Sequence, residues 1–469
     1  MASATGYARG RLPSRSVERA WWSVASVLAA SSAVFLVVGL LPDGAPVTAQ
    51  PWLIPTDRDV AIGTADLIGP AGRPSLEAAL SFEPTVTADI VAYRRPRRAV
   101  TLLGRVLAVL VPLLVAIRLA GPQGERHLRP LRRMRGVAWP VGVVVGVTAV
   151  LAAIVRLPLS IWTGVVQDGR WGFRTSSVAG WTVDHLVVVA GRALLLSLLA
   201  VGLVTVVRRH PVMWPARLTV LAAVAGPLVL LLHPLVAHPL LLPTGPLPDG
   251  PHRDAVVAVV ARSDADIRVL LGEASLRTTR RNAVVTGLGP TRRIVLHDTL
   301  LELSPREVAA ITAHELAHVE RGDPLRGVLA PVPIVLIAGL AARRRIAALP
   351  ASVPASVPAS VPASVPGQVR VLAVVAVLLL ALDAAAAPLA AAVSRTVEHR
   401  TDVRAVALSG DVEAYVAMLR SFVIDGLAEP DPPRWSVLLW ASHPPPATRI
   451  VAVLEAGERL SVPTGPARH

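Results

Sequence analysis

Long apolar runs alternate with two stretches of mixed polar and apolar character. About 20 mostly apolar residues cross a hydrocarbon core. Seven segments qualify: 20–41, 99–117 with Arg105 inside, 137–155, 186–207 interrupted by Arg192, 218–243, 327–342, and 371–393 carrying Asp383. The first is too long for a signal-peptide core and no small-residue cleavage site follows it. The fifth contains Pro227, Pro234 and Pro239, which predict a kinked helix. Residues 42–93 are acidic, with Asp43, Asp57, Asp59, Asp66, Glu77, Glu83 and Asp89 against Arg58 and Arg73. Residues 351–366 read ASVP four times, and a proline at every fourth position forbids a stable helix, leaving a semi-extended spacer.

The two mixed stretches, 244–326 and 394–469, read as soluble blocks. In the first, a helix is expected near 254–262. Short β-prone runs follow at 267–273, 280–286 and 292–297, and the last two, joined across Leu288-Gly289-Pro290-Thr291, read as a hairpin. The second block predicts helices around 394–408 and 411–428 and after the prolines at 444–446. The division is a basic N-terminal segment (1–19), a five-span region (20–243), a first soluble block (244–326), two more spans with the repeat linker (327–393), and a second soluble block (394–469).

Composition agrees with this pattern. Hydrophobic residues make up 53%, charged residues 17%, and the mean hydropathy is +0.56. An ordinary soluble protein carries about 25% charged residues, so a soluble enzyme is excluded, as is disorder over most of the chain. There is no cysteine, hence no disulfide, thiolate metal site or cysteine nucleophile, and any metal must be held by His, Asp or Glu. The net charge is +15, and arginine supplies all 47 basic residues, the coding bias of a GC-rich and, we expect, bacterial genome. In so apolar a chain the basic excess points to cytoplasmic loops. Aromatics are only 4%, which offers no base-stacking platform, and no nucleic-acid partner is expected.

The chemistry centres on Ala313-His-Glu-Leu-Ala-His-Val-Glu-Arg-Gly-Asp323. His314 and His318 are i and i+4, so on a helix they share one face and can share one metal ion. Glu315 beside them can reach a water at that metal. Ser304-Pro305-Arg306-Glu307 supplies an N-cap, a proline at the first helical position and a glutamate three residues after the cap, and Gly322 supplies a stop. Glu307, Glu315, Glu320, Arg321 and Asp323 make this helix too charged for the lipid core. A catalytic zinc needs a third protein ligand. Residues 394–406 offer Glu398 and Asp402, again i and i+4: either they are solvated helix charges, or Glu398 completes the metal shell and Asp402 accepts the free N–H of a ligating histidine.

These motifs resemble the membrane metallopeptidases that include the CAAX prenyl endopeptidase and the HtpX-like heat-shock proteases. Those have HExxH followed downstream by ExxxD, whose glutamate is the third zinc ligand. Asp323, five residues after the second histidine, fits the first motif, and Ser394-Arg-Thr-Val-Glu-His-Arg-Thr-Asp402 fits the second, with Thr401 where alanine is common. Asn282-Ala283 resembles the signature of the family's substrate-binding edge strand. Residues 441–450 resemble its C-terminal His-Pro…Arg-Ile motif. By this resemblance His443 helps bind the oxyanion and Arg449 holds the site together.

The expected fold is mainly α, a polytopic helical membrane protein of about seven spans with a zincin-type metalloprotease domain containing a small β-hairpin or sheet. The expected function is zinc-dependent hydrolysis of peptide bonds in membrane or misfolded proteins, with the lipid bilayer as surroundings. The alternatives are a sensor that uses the site for one signalling cleavage, or a non-enzymatic scaffold or transporter. His185, His233 and His238 are expected to pack or line a chamber, and Arg192 and Asp383 are candidates for pairing across spans. The arginines at 9–19, 126–135, 208–209 and 343–345 favour a cytoplasmic N-terminus and an extracytoplasmic site, whereas the resemblance implies a cytosolic one.

Overall fold

The computed structural model describes residues 76–134, 136–347 and 365–461. The expected first span, most of the acidic stretch and nearly all of the ASVP repeats lie outside the described residues. The other six expected spans are present as six helical segments long and apolar enough to cross a membrane. They comprise α1 (Pro84–Ala120), α2 (Ala138–Ile161), α3 (Val178–Arg209), α4 (Trp214–Leu241), the pair α7 (Asp323–Leu329) and α8 (Val332–Ala347), and α9 (Val365–Ser409).

Several helices run beyond the apolar stretch that announced them. α1 begins at Pro84, well before the expected start at Ala99, and continues through Arg94–Arg98. Its charges there are engaged: Arg94 donates to the Leu427 carbonyl, Arg97 pairs with Asp168 and Arg98 with Glu429. α2 passes through a π-turn at Trp162–Gln167 into a short turn at Asp168–Arg170. α4 keeps Pro227, Pro234 and Pro239 within one helix. No break in the backbone marks the boundary expected at 393/394: α9 carries the last span straight into the second soluble block.

The membrane helices have two ends of different character. At one end Ala116, Leu119, Val141, Ala200, Val204, Val369 and Ala373 form a buried cluster. There the Arg370 guanidinium donates to the Leu119 carbonyl, tying the start of α9 to the end of α1. At the other end Ile90, Tyr93 and Phe173 pack against Val423 and Leu427 of the second soluble block. The Tyr93 hydroxyl donates to Asp168, which also receives Arg97 and Arg280.

The soluble blocks interleave into one unit on that second end. After β1 (Thr244–Gly245), α5 (Pro251–Val260) leads into β2 (Arg268–Gly272), β3 (Ala283–Thr286) and β4 (Arg293–His297). The sheet order is β1-β2-β4-β3. β3 and β4 form the expected antiparallel hairpin, Val284 opposite Val295, while β2 runs parallel to β4. Gly287 turns the hairpin with a positive φ, and a Cβ there would lie 2.2 Å from the Thr291 carbonyl oxygen, so this position needs glycine. Ile294 and Leu296 of the sheet are buried under Leu316 and Ala317 of α6 (Pro305–Arg321), together with Val416 and Leu419 of α10 (Val412–Ile424). A further short helix, α11 (Arg434–Trp440), has no counterpart in the sequence reading, and α12 (Pro446–Ser461) follows the prolines and adds Ile450 and Val453 to this core. Each such fully buried aliphatic contributes about 1.5–3 kcal/mol relative to exposure.

Candidate active site

α6 is built to hold its shape. Ser304 accepts from the Glu307 backbone N–H and Glu307 accepts from the Ser304 backbone N–H, a complete capping box with Pro305 at the first helical position. Gly322 closes the helix in the left-handed conformation, its N–H bonded back to the His318 and Val319 carbonyls. The helix seats its apolar face in the core and brings His314 and His318 together, ring centroids 4.9 Å apart. α9 packs across it and brings Glu398 to the pair. His314 Nε2 is 3.3 Å from one Glu398 oxygen and His318 Nε2 is 3.5 Å from the other. One ligand atom from each of the three lies within 4.8 Å of the other two, the spacing of donors around one metal ion.

The remaining ring nitrogens fix the tautomers. The Tyr415 hydroxyl, on α10, donates to Asp402 Oδ1 at 2.7 Å, so its oxygen is left to accept from His314 Nδ1 at 2.9 Å. Asp402 Oδ1 is itself 3.1 Å from His314 Nδ1. His318 Nδ1 donates to Asp323 at 2.9 Å. With each Nδ1 engaged as a donor, each Nε2 faces the space beside Glu398, where a metal would take the place of any proton it carries. Asp402 is anchored in turn by Arg449, which donates from Nε at 2.9 Å and from Nη2 at 2.7 Å.

Asp402 and Tyr415 are fully buried and His314, Glu398 and Arg449 nearly so. Burial alone raises the Asp402 pKa, but the Arg449 charge and the hydrogen bonds outweigh it and hold the carboxyl below the usual range. Glu398 is likewise raised by burial and lowered further by its bonds to His314, His318 and His443. Burial pushes the Tyr415 hydroxyl well above its ordinary value, so it remains a proton donor. Burial lowers His314, yet the bonds to Asp402 and Glu398 overcome this and raise it to about 9. The pocket therefore attracts positive charge between its histidines, and its donor set of two imidazoles and one carboxylate fits a divalent transition metal.

Glu315 is buried beside this group, and its carboxylate makes no hydrogen bond to any described residue, which leaves it available to a water. His443, just before α12, is largely exposed and engages Glu398 through Nδ1 at 2.8 Å. Asn282 is exposed immediately before β3, and Ala283 opens that strand, which ends the sheet. The sequence reading did not find Tyr415: it lies beyond Asp402 on another helix, and no spacing rule links them. Asp323 was noted as part of the motif, but not its bond to His318. The pairing considered for Arg192 and Asp383 is not formed, since neither makes an ion pair among the described residues; Asp383 sits on α9 and Arg192 on α3.

Residues 253–456 match the model of peptidase family M48, and residues 97–242 match that of the CAAX prenyl protease N-terminal region of five membrane helices. The chain belongs to this family. It is a multi-pass membrane metalloendopeptidase, and family membership implies both a metal and protein or peptide substrates. It is 26% identical to the Bacillus subtilis metalloprotease YhfN over 65% of this chain and 71% of that protein. It is also 26% identical to CAAX prenyl protease 1 of Saccharomyces cerevisiae, over 38% of this chain and 40% of the yeast protein. The crystal structure of Ste24p from S. mikatae has the same fold, with a TM-score of 0.65 at 20% identity, covering 83% of this chain and 93% of that one.

Proposed function

We propose that the chain is a zinc endopeptidase in which His314, His318 and Glu398 hold the metal. The observation that carries this reading is the convergence of their three ligand atoms while both Nδ1 positions are engaged elsewhere. Zinc, when bound, supplies a Lewis acid that polarises the scissile carbonyl and acidifies water. Glu315, adjacent to the ligands and free of other bonds, takes the proton of the attacking water and passes it to the leaving amine. Asp402, held by Arg449 and Tyr415, keeps His314 in its ligating tautomer, and Asp323 does so for His318. His443 donates to the developing oxyanion from Nε2. Because its Nδ1 is engaged with Glu398, that bond calls for the imidazolium form. The substrate lies extended along β3, paired to its backbone from Asn282-Ala283 onward, so recognition reads main chain more than side chain. Membrane or misfolded proteins suit such a site.

The fold also bears on orientation in a bacterial cell membrane. Arg118, Arg126, Arg129, Arg208, Arg209, Arg217, Arg343, Arg344 and Arg370 gather at the end away from the active site, where Glu125 is the one acid among the described residues. At the site end Arg97 and Arg280 pair with Asp168, Arg277 with Asp184, and Arg281 with Glu302. By the positive-inside rule we read the arginine-rich end as cytoplasmic and the active site as facing out.

Casein cleavage by the detergent-purified protein tests the activity. It should be lost on chelation and restored by zinc, and chelator-insensitive cleavage contradicts the reading. The chain has no cysteine, so Asp249→Cys at the site end and His127→Cys at the far end report the orientation. In intact cells an impermeant thiol reagent should label the first and not the second; the reverse pattern places the site in the cytosol.

A further inference from the structure

Three arginines lie inside the membrane region and form no ion pair among the described residues, Asp383 of α9 included. Arg105 on α1 is roughly three helical turns from Arg94 at the site end. Arg156 on α2 is a little over three turns from Asp168, and Arg192 on α3 is about four turns from the start of its helix. All three therefore stand at similar depth, roughly mid-membrane. The three helices adjoin: the place of a Gly104 Cβ on α1 is 3.9 Å from Arg156 Nε, α3 packs on α2 where Ser197 meets Gly142 and Gly146, and Arg156 feels the charges of both Arg105 and Arg192. None of them has a hydrogen bond or ion pair from its side chain among the described residues. The acids of α3 and of the turn after α2, Asp184 and Asp168, are engaged at the site end with Arg277 and Arg280.

Guanidinium groups do not lose their charge, and gathering three in an apolar region is costly unless an anion joins them. Both ends of the helices are too far for these side chains to reach water by snorkelling. Polar residues precede them on the active-site side of two helices. On α1, Arg94, Arg98, Thr101 and Arg105 follow one another at helical spacing on one face. On α3, the stacked pair Trp181 and His185 precedes Arg192 on one face. A phospholipid phosphate sits at the membrane surface, about 15 Å from mid-depth. An extended peptide segment entering from the active site can reach that depth.

We propose that Arg105, Arg156 and Arg192 form a carboxylate-binding site that holds the C-terminal carboxylate of the peptide substrate. This deepens the endopeptidase reading and rests on it. Three helical turns rise about 16 Å, the reach of about five extended residues at ~3.3 Å each, so the cleaved tail is at least that long.

The test measures binding to the zinc-loaded Glu315→Gln protein, using a fluorescent twelve-residue peptide as the free acid and as the C-terminal amide. The acid should bind about tenfold more tightly, the scale of a charge-assisted pair. Arg105→Gln, Arg156→Gln and Arg192→Gln combined should abolish that advantage, and the corresponding lysine substitutions should restore most of it. Equal affinity for acid and amide, or an advantage that survives the glutamine substitutions, overturns the proposal. So does loss of phosphatidylglycerol binding in nanodiscs with the peptide preference intact, which assigns the site to lipid. Zinc content verifies the fold of each variant. Should the triple variant fail to fold, Arg192→Gln alone, on an exposed position, must still reduce the acid's advantage. Failure of the peptidase reading shows separately, as absence of cleavage of either peptide by the chain with Glu315 intact.

Discussion

The two helices that meet at the active site are opposites. α6 has 17 residues, is capped at both ends and carries its two histidines and its glutamate within five positions. α9 has 45 residues and begins at the far end of the membrane region, where Arg370 is bonded to the end of α1. It passes Pro388 and delivers Glu398 and Asp402 only near its other end. α6 is held by local interactions and could adopt this form wherever its apolar face is covered. α9 is held by the whole membrane region, so the position of Glu398 relative to His314 depends on how the spans pack. In the proposed mechanism α6 supplies the two histidines and the base, and α9 couples them to the membrane region.

Substitutions can separate these contributions. The largest effect is expected from Glu315→Gln on α6, which should lower peptide cleavage at least ~10²-fold with unchanged metal content, since the proton acceptor goes while the ligands stay. On the α9 side, Arg449→Met should destabilise the fold by about 3–5 kcal/mol, because Asp402 is left as a buried unpaired charge. Denaturant titration reads this. The same pair predicts acid sensitivity. The Asp402 pKa is depressed in the folded state, so its contribution is complete above about pH 4, the unfolded value, and is lost as pH falls toward the folded one. Arg449→Met should remove that part of the acid transition. Tyr415→Phe should keep the fold and weaken metal affinity about 10–100-fold, as removing a partner of a ligating histidine does elsewhere. Competition with a chelator measures it. The smallest effect belongs to the local architecture of α6: Ser304→Ala should cost about 1 kcal/mol by thermal unfolding and leave metal affinity unchanged.

The same contrast explains what the sequence revealed. α6 was legible to the residue, including its capping box and its glycine stop, because every signal lies within the helix. The β3–β4 hairpin was legible for the same reason. Glu398 and Asp402 were visible only as an i, i+4 pair with two readings, and the contact with His314 and His318 is made by packing between helices far apart in the chain. Tyr415 left no local trace, since its role exists only where α10 lies against α9. α1 extends N-terminal of the expected span because Asp168 and Glu429 neutralise Arg97 and Arg98 and let the helix continue. The three arginines at mid-membrane were read as interruptions of spans. Their proximity needed the arrangement of α1, α2 and α3.

The central claim is that a residue carried by the membrane-spanning α9 completes a metal site begun on α6. The metal content of purified Glu398→Ala, measured by plasma mass spectrometry beside the wild-type chain, tests it most directly. The account predicts one zinc per wild-type chain and near-complete loss in the variant, with the helical circular dichroism of both unchanged. A stoichiometric metal retained by Glu398→Ala would contradict it.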